Sequence, residues 1–153
     1  MHDLQIIEIS DPYEFALKIQ QDQNQYIYVY KEDIFHPNNN IYEKIKNAHV
    51  DYGASIIFSD IQINNEGLIT NQYFSDITGV MNKIIYSPIA VRFLPFELKV
   101  HPNLQFHAFS FLIQISKTIC PWHIPQIGFK AILNKTQFKT LSENCSWVVQ
   151  QGI

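Results

Sequence analysis

The sequence predicts an α/β fold, a mixed and mostly parallel sheet in three layers with helices on both faces, formed as one domain over residues 1–153. Three observations predict it. Short β-branched and aromatic runs alternate with segments of helical periodicity through the first part of the chain, the order that helical crossovers between parallel strands require. Hydrophobic residues make up 46% of the chain and charged residues 16%, which supplies a core and excludes the composition of a disordered chain. No internal repeat and no linker divides the sequence, and 153 residues is an ordinary length for one domain.

The first strand is Leu4 to Ile9, β-branched and stopped by Ser10, Asp11 and Pro12. Asp11 reads as a helix N-cap, Pro12 suits the first helical position, and Glu14 stands three residues after the cap as in a capping box. Phe15 and Ile19, with Ala16 and Leu17 between them, give this helix its apolar stripe, and the polar run from Gln20 to Gln25 ends it. Tyr26 to Tyr30 is the second strand. Pro37 and Asn38 then open a helix on which Ile41, Ile45 and Ala48 share one face, closed by Gly53. Ala54 to Ile63 is a strand, Asn64 to Gly67 a turn, and Leu68 to Phe74 the returning strand.

Ser87 to Phe93 gives a further short strand, interrupted by Pro88. Phe106 to Lys117 is apolar on more than one face and predicts a helix inside the protein, against the sheet. Trp122 to Ile127 and Phe129 to Leu133 read as two short extended pieces, with Pro121 and Pro125 favouring edge positions. Gln137 to Val149 closes the chain as a helix.

Composition also narrows the function classes. The 11 basic and 14 acidic residues leave a net charge of −3 with no basic block, so a nucleic-acid partner is not expected. Cys120 and Cys145 lack metal-ligand spacing and read as reduced, partly buried small residues. The start of the chain lacks a basic segment followed by an apolar one, and no run approaches the roughly 18 apolar residues of a spanning helix, so no transmembrane segment is expected and the cytoplasm is the simplest address. His36, His49, His101 and His123 have no paired ligand spacing that would suit zinc. There is no phosphate-binding glycine loop, nucleophile elbow or dinucleotide fingerprint. The phenylalanines and tyrosines mostly serve the core; exposed ones, with Tyr28, Tyr30 and Tyr73 as candidates, would stack on a sugar or mark the interface of a homo-oligomer.

Four segments in order carry a family resemblance. They are Tyr26 to Pro37 with its acidic turn, Gly53 to Asp60, Phe111 to Lys117, and Trp122-His123-Ile124-Pro125. From about Gln25 to Phe129 the chain resembles the metal-and-acceptor half of a family-2 glycosyltransferase, whose fold is GT-A. Members end a hydrophobic strand in an acidic turn with a proline a few residues later, then carry a Gly-Ala-apolar strand ending in Asp, a late helix, and an apolar-His-Ile-Pro strand. The resemblance implies transfer of a sugar from a nucleotide-sugar to a glycan or other hydroxyl acceptor. It implies Mg²⁺ or Mn²⁺ on the acidic turn, held here by Glu32 and Asp33, to stabilise the departing diphosphate. A base near the late helix then takes the acceptor proton.

The chain departs from this pattern at several positions. Tyr30 replaces the first acid of the turn, while Glu32 and Asp33 keep the later ones. Those two either hold a hydrated metal or belong to a solvated loop in which Asp33 or Asn38 caps the next helix. Where the family has Glu-Asp-x-Asp this chain has His107-Ala108-Phe109-Ser110, and Gln114 stands in place of an arginine. Ala108 cannot act as a base. His107 either accepts the proton, with an ordinary pKa of about 6.5, or fills the core beside Phe106 and Phe109. Asp60, at the end of an apolar strand, either contacts a ligand or caps the following turn. His123 reads as packing beside Trp122. Twenty-five residues precede Tyr26, room for one strand and one helix, so the nucleotide-binding side is shortened. These departures imply an alternative, a GT-A-like binding or interaction domain that has lost donor binding and the base.

Overall fold

Residues 4–21, 26–72 and 87–151 are described by the computed structural model, in which the chain is an α/β protein with a mixed seven-stranded sheet and four helices. Strand β1 (Gln5–Ile9) leads into helix α1 (Pro12–Gln21) through Asp11, whose Oδ1 accepts the N–H groups of Tyr13 at 2.9 Å and Glu14 at 3.4 Å. The cap expected from the sequence is formed, and Phe15 and Ile19 are fully buried beneath it. Strand β2 (Tyr26–Tyr30) returns parallel to β1.

The second helix starts later than the sequence suggests. Pro37 belongs to a short strand, β3 (Phe35–Pro37), and helix α2 runs from Ile41 to Tyr52. The reason lies in the link between them. The side-chain amides of Asn38 and Asn39 both donate to the Ile127 carbonyl, and the Asn38 N–H donates to the Gly128 carbonyl. Asn39 and Asn40 take left-handed backbone angles, φ 55° and 53°, which asparagine tolerates better than most residues. Ile41, Ile45 and Ala48 form the buried face as expected, and Gly53, at φ 67°, closes the helix by donating to the Ala48 and His49 carbonyls.

Strand β4 (Ile56–Asn65), strand β5 (Leu68–Gln72), strand β6 (Ile89–Val91), helix α3 (Ala108–Ser116), strand β7 (Trp122–Leu133) and helix α4 (Lys135–Gln150) complete the described elements. The expected strand to Phe74 is seen to Gln72; its last two residues lie outside the described residues. The two extended pieces at Trp122 and Phe129 are one strand, β7, kept continuous by a register slip at Pro125–Gly128. Helix α4 is capped by Asn134, whose side chain and that of Gln137 bond each other's backbone N–H in a capping box. Cys120 is exposed and Cys145 is buried.

The sheet order is β1-β2-β6-β4-β7-β3, with β5 also paired to β4. Because β6 is antiparallel to both β2 and β4, strands β1, β2, β4 and β7 all point one way. Tyr30, Ile89 and Phe58 lie in one cross-strand row, hence on one face. That face is packed by α1 and α3, since the Tyr30 ring meets Phe15 at 5.3 Å and Phe111 at 5.2 Å. Helix α2 packs the other face, where Tyr42 meets the ring of Phe129.

Gly128 fixes how closely α2 approaches. A Cβ there would stand 2.4 Å from Ser59 Oγ and 2.6 Å from Ile41 Cδ1. Both neighbours are buried, so neither has free space to move into. Gly128→Ala is therefore expected to lower stability by about 1–3 kcal/mol, the range for overpacking, measured by urea denaturation.

Candidate functional site

Tyr30 is the last residue of β2, so its backbone ends where the parallel strands present their carboxyl ends, the usual ligand edge of an α/β sheet. Its phenol turns along the sheet and donates to Glu32 Oε1 at 3.0 Å. The same oxygen accepts the backbone N–H of His107 at 3.0 Å. His107 precedes α3 and caps it with no side-chain bond of its own. The carboxylate thus supplies, from a distant turn, the acceptor that the start of α3 lacks. Asn144 of α4 does the same one step earlier, its Oδ1 accepting the N–H groups of Gln105 and Phe106 at 2.8 and 2.9 Å.

Enclosure governs the electrostatics of this cluster. Burial pushes the Glu32 carboxyl up to about 7, although its bonds to His107 and Tyr30 and the charge of Lys31 pull the other way. Oε2 of Glu32 is buried without a hydrogen-bond partner. The Tyr30 phenol is raised well above its ordinary range by burial and then by the neighbouring carboxylate. His107 is buried, and desolvation followed by the nearby His101 lowers its pKa; its Nδ1 has no partner.

Asp33, the next residue in the turn, is exposed. The two candidate metal ligands therefore differ in environment: one carboxylate has an oxygen committed to two donors and the other oxygen enclosed, while the second faces solvent. This placement does not fit a shared metal. Among the described residues no group of three or more His, Cys, Asp or Glu is arranged to hold one.

Asp60 and His123 form a second pair. Asp60 is 3% exposed and bonds His123 Nε2 at 2.8 Å. The imidazole is stacked on Phe58, with ring centroids 5.0 Å apart at 18°. Asp60 sits within the slip of the β4–β7 register, where Ser59 pairs with Ile124, Asp60 with Ile127 and Ile61 with Phe129. Such bulges re-aim side chains beside them. The structure thus brings Glu32 together with His107, and Asp60 together with His123, with β6 between the strands that lead to the two pairs.

Gln114 also has a defined place. Its Oε1 accepts the Lys99 N–H at 2.8 Å, and its Nε2 donates to the Lys99 carbonyl at 2.9 Å and to Ser110 Oγ at 3.1 Å. The amide pairs with the backbone as a neighbouring strand would, fixing the Lys99 segment to α3.

Several sequence expectations are corrected here. Tyr28 and Tyr30 are 2% and 1% exposed and belong to the core, so neither can stack on a sugar; Tyr73 lies outside the described residues. Among the described residues the exposed aromatic ones are Tyr13, Tyr52 and Trp122, of which Tyr52 and Trp122 stack on each other at 4.8 Å. Sequence reasoning assigned His123 to packing beside Trp122, whereas it is the partner of Asp60. The pairing depends on a register that strand-like composition does not encode.

Fold and site define an α/β domain with a mixed sheet and two carboxyl-centred clusters, around a buried Asp60 and a part-buried Glu32. No known protein family, curated protein or solved structure matches the chain. Among the described residues no helix is long and apolar enough to cross a membrane.

The enclosed carboxyl sets a pH dependence. Glu32 is raised in the folded state above its ordinary 4.5, so its stabilising contribution is complete below 4.5 and is lost as the pH rises through about 7. The loss amounts to about 3 kcal/mol. His107, lowered by burial, acts in the opposite sense, its contribution falling away below its ordinary 6.5. Glu32→Gln keeps an acceptor for Tyr30 and His107 but cannot ionise. Denaturant titrations should show the wild type losing stability relative to this variant between pH 4.5 and 7.

Proposed function

We propose that the chain is a GT-A-like binding or interaction domain that does not carry out metal-assisted sugar transfer. The observation that carries this reading is the bond of Glu32 Oε1 to Tyr30 and to the N–H of His107. The residue that the family resemblance would place on the metal serves instead to hold the acidic turn against α3. Ala108 provides no base, and the Gln114 amide, where the resemblance implies an arginine, is committed to Lys99 and Ser110. The order of segments and the packing of helices on both sheet faces support the GT-A-like architecture.

A nucleotide-sugar transferase acting on a glycan or other hydroxyl is the second reading, and one observation favours it. A buried carboxylate holding an imidazole that is 26% exposed is an arrangement suited to accepting a proton. On this reading Asp60 orients His123, and Asp33 is the exposed acid near the donor.

Calorimetric titration with UDP and Mn²⁺, together with thermal shift, separates the two. No heat and no shift are expected. Saturable binding, or nucleotide-sugar turnover that is lost on Asp33→Ala, would overturn the binding-domain reading.

A further inference from the structure

Helix α1 covers the sheet with Phe15 and Ile19 and turns Tyr13 and Leu17 outward, at 59% and 53% exposure. Tyr13, Ala16, Leu17 and Gln20 recur at i, i+3, i+4 and i+7, which places them in one stripe along the helix. The stripe forms one wall of an open groove of about 540 Å³ whose other wall is the segment Glu97–His101. A lone exposed leucine needs no explanation, but an apolar helical stripe beside a groove marks an interaction surface.

The charges at its borders favour one occupant. Glu14 and Lys18, one helical turn apart, flank the stripe on α1, and Glu97 and Lys99 stand on the opposite wall; all four are exposed. Each border thus carries one acid and one base. A partner bearing a single strong charge would be repelled by half of each border. A two-fold axis passing between Ala16 and Leu17 has the reverse effect. It lays a second α1 antiparallel to the first, sets Tyr13 against the partner's Gln20 and Leu17 against the partner's Ala16, and brings Glu14 opposite the partner's Lys18 along the border of the stripe. An isologous contact needs this self-complementarity.

We infer that the groove between α1 and Glu97–His101 is the contact surface of a symmetric homodimer, with α1 packed on α1 of a second copy. The contact is small. A helix of 10 residues is about 15 Å long, so the pair belongs to the low-area, transient class and forms in a concentration-dependent way.

Sedimentation equilibrium on the full chain over a concentration series tests this. The wild type should show a monomer–dimer equilibrium that tightens at low salt. Leu17→Glu should remain monomeric throughout with an unchanged melting temperature, because its side chain lies outside the core. Lys18→Glu should weaken the dimer several-fold, and the double exchange Glu14→Lys with Lys18→Glu should restore it, since acid again stands opposite base across the axis. A wild type that stays monomeric to its solubility limit would overturn the inference. So would a dimer indifferent to Leu17→Glu, assembly beyond two copies, or failure of the double exchange to restore association.

Discussion

One strand, β4, holds the sheet together, and the constraint on it is that a longer stretch of β7 must run beside it. β7 occupies one edge of β4, while β6 and β5 share the other. The first two strands therefore reach the rest of the sheet through β6, whose Ile89, Ala90 and Val91 are all buried. Between Ser59↔Ile124 and Ile61↔Phe129, β4 advances two residues and β7 advances five. Pro125 has no N–H to lose from the ladder, and Gly128 has no Cβ to strike α2. The carbonyls of Ile127 and Gly128 receive Asn38 and Asn39, which positions α2, and Asp60 is placed against His123. A single irregularity thus sets both a helix and a polar pair.

At the other strand ends the governing fact is how the helix N-termini are satisfied. In α/β sheets these termini, lying at the carboxyl ends of strands, attract anionic ligands because their N–H groups are unpaired and their dipoles point outward. Here Asp11 takes the first N–H groups of α1, and Glu32 takes the N–H of His107 before α3. The chain's own carboxylates stand where phosphates would otherwise be drawn.

Local chemistry was legible in the sequence, and long-range register was not. Asp11 and Pro12 start a helix through bonds spanning three residues, and Ile41, Ile45 and Ala48 share a face because of helical geometry alone. Gly53 could be read for the same reason. The role of Pro37 could not, because its strand exists only by pairing with Phe129 to Ala131, about ninety positions away. Of the candidate site residues, Glu32 and Asp60 were found by type and position. Their partners are not legible in the sequence: Tyr30 stands among the candidate exposed rings, and His123 reads as packing. In both cases the partner's backbone lies on a strand whose neighbours are fixed by tertiary pairing, which period-2 patterning leaves open. Asn144 had no local signal at all, since the N–H groups that its side chain accepts lie in a loop about forty positions away.

Three side chains form internal joints, two of them, Glu32 and Gln114, at positions that the family resemblance singles out. Glu32 ties the acidic turn to α3, Gln114 ties α3 to the Lys99 segment, and Asn144 ties α4 to the same loop. Each joint removes a polar group from contact with any ligand and gives rigidity in return, because a buried donor or acceptor left unpaired costs about 1–3 kcal/mol. Under the binding-domain reading proposed above, the outer surface is the place for recognition. The stripe of α1 belongs to that surface, since Phe15 and Ile19 fasten the helix to the sheet while Tyr13 and Leu17 remain outside. The rigidity supplied by the inner joints keeps that outer face in a fixed orientation, which a small two-fold contact requires if it is to form without first ordering its parts.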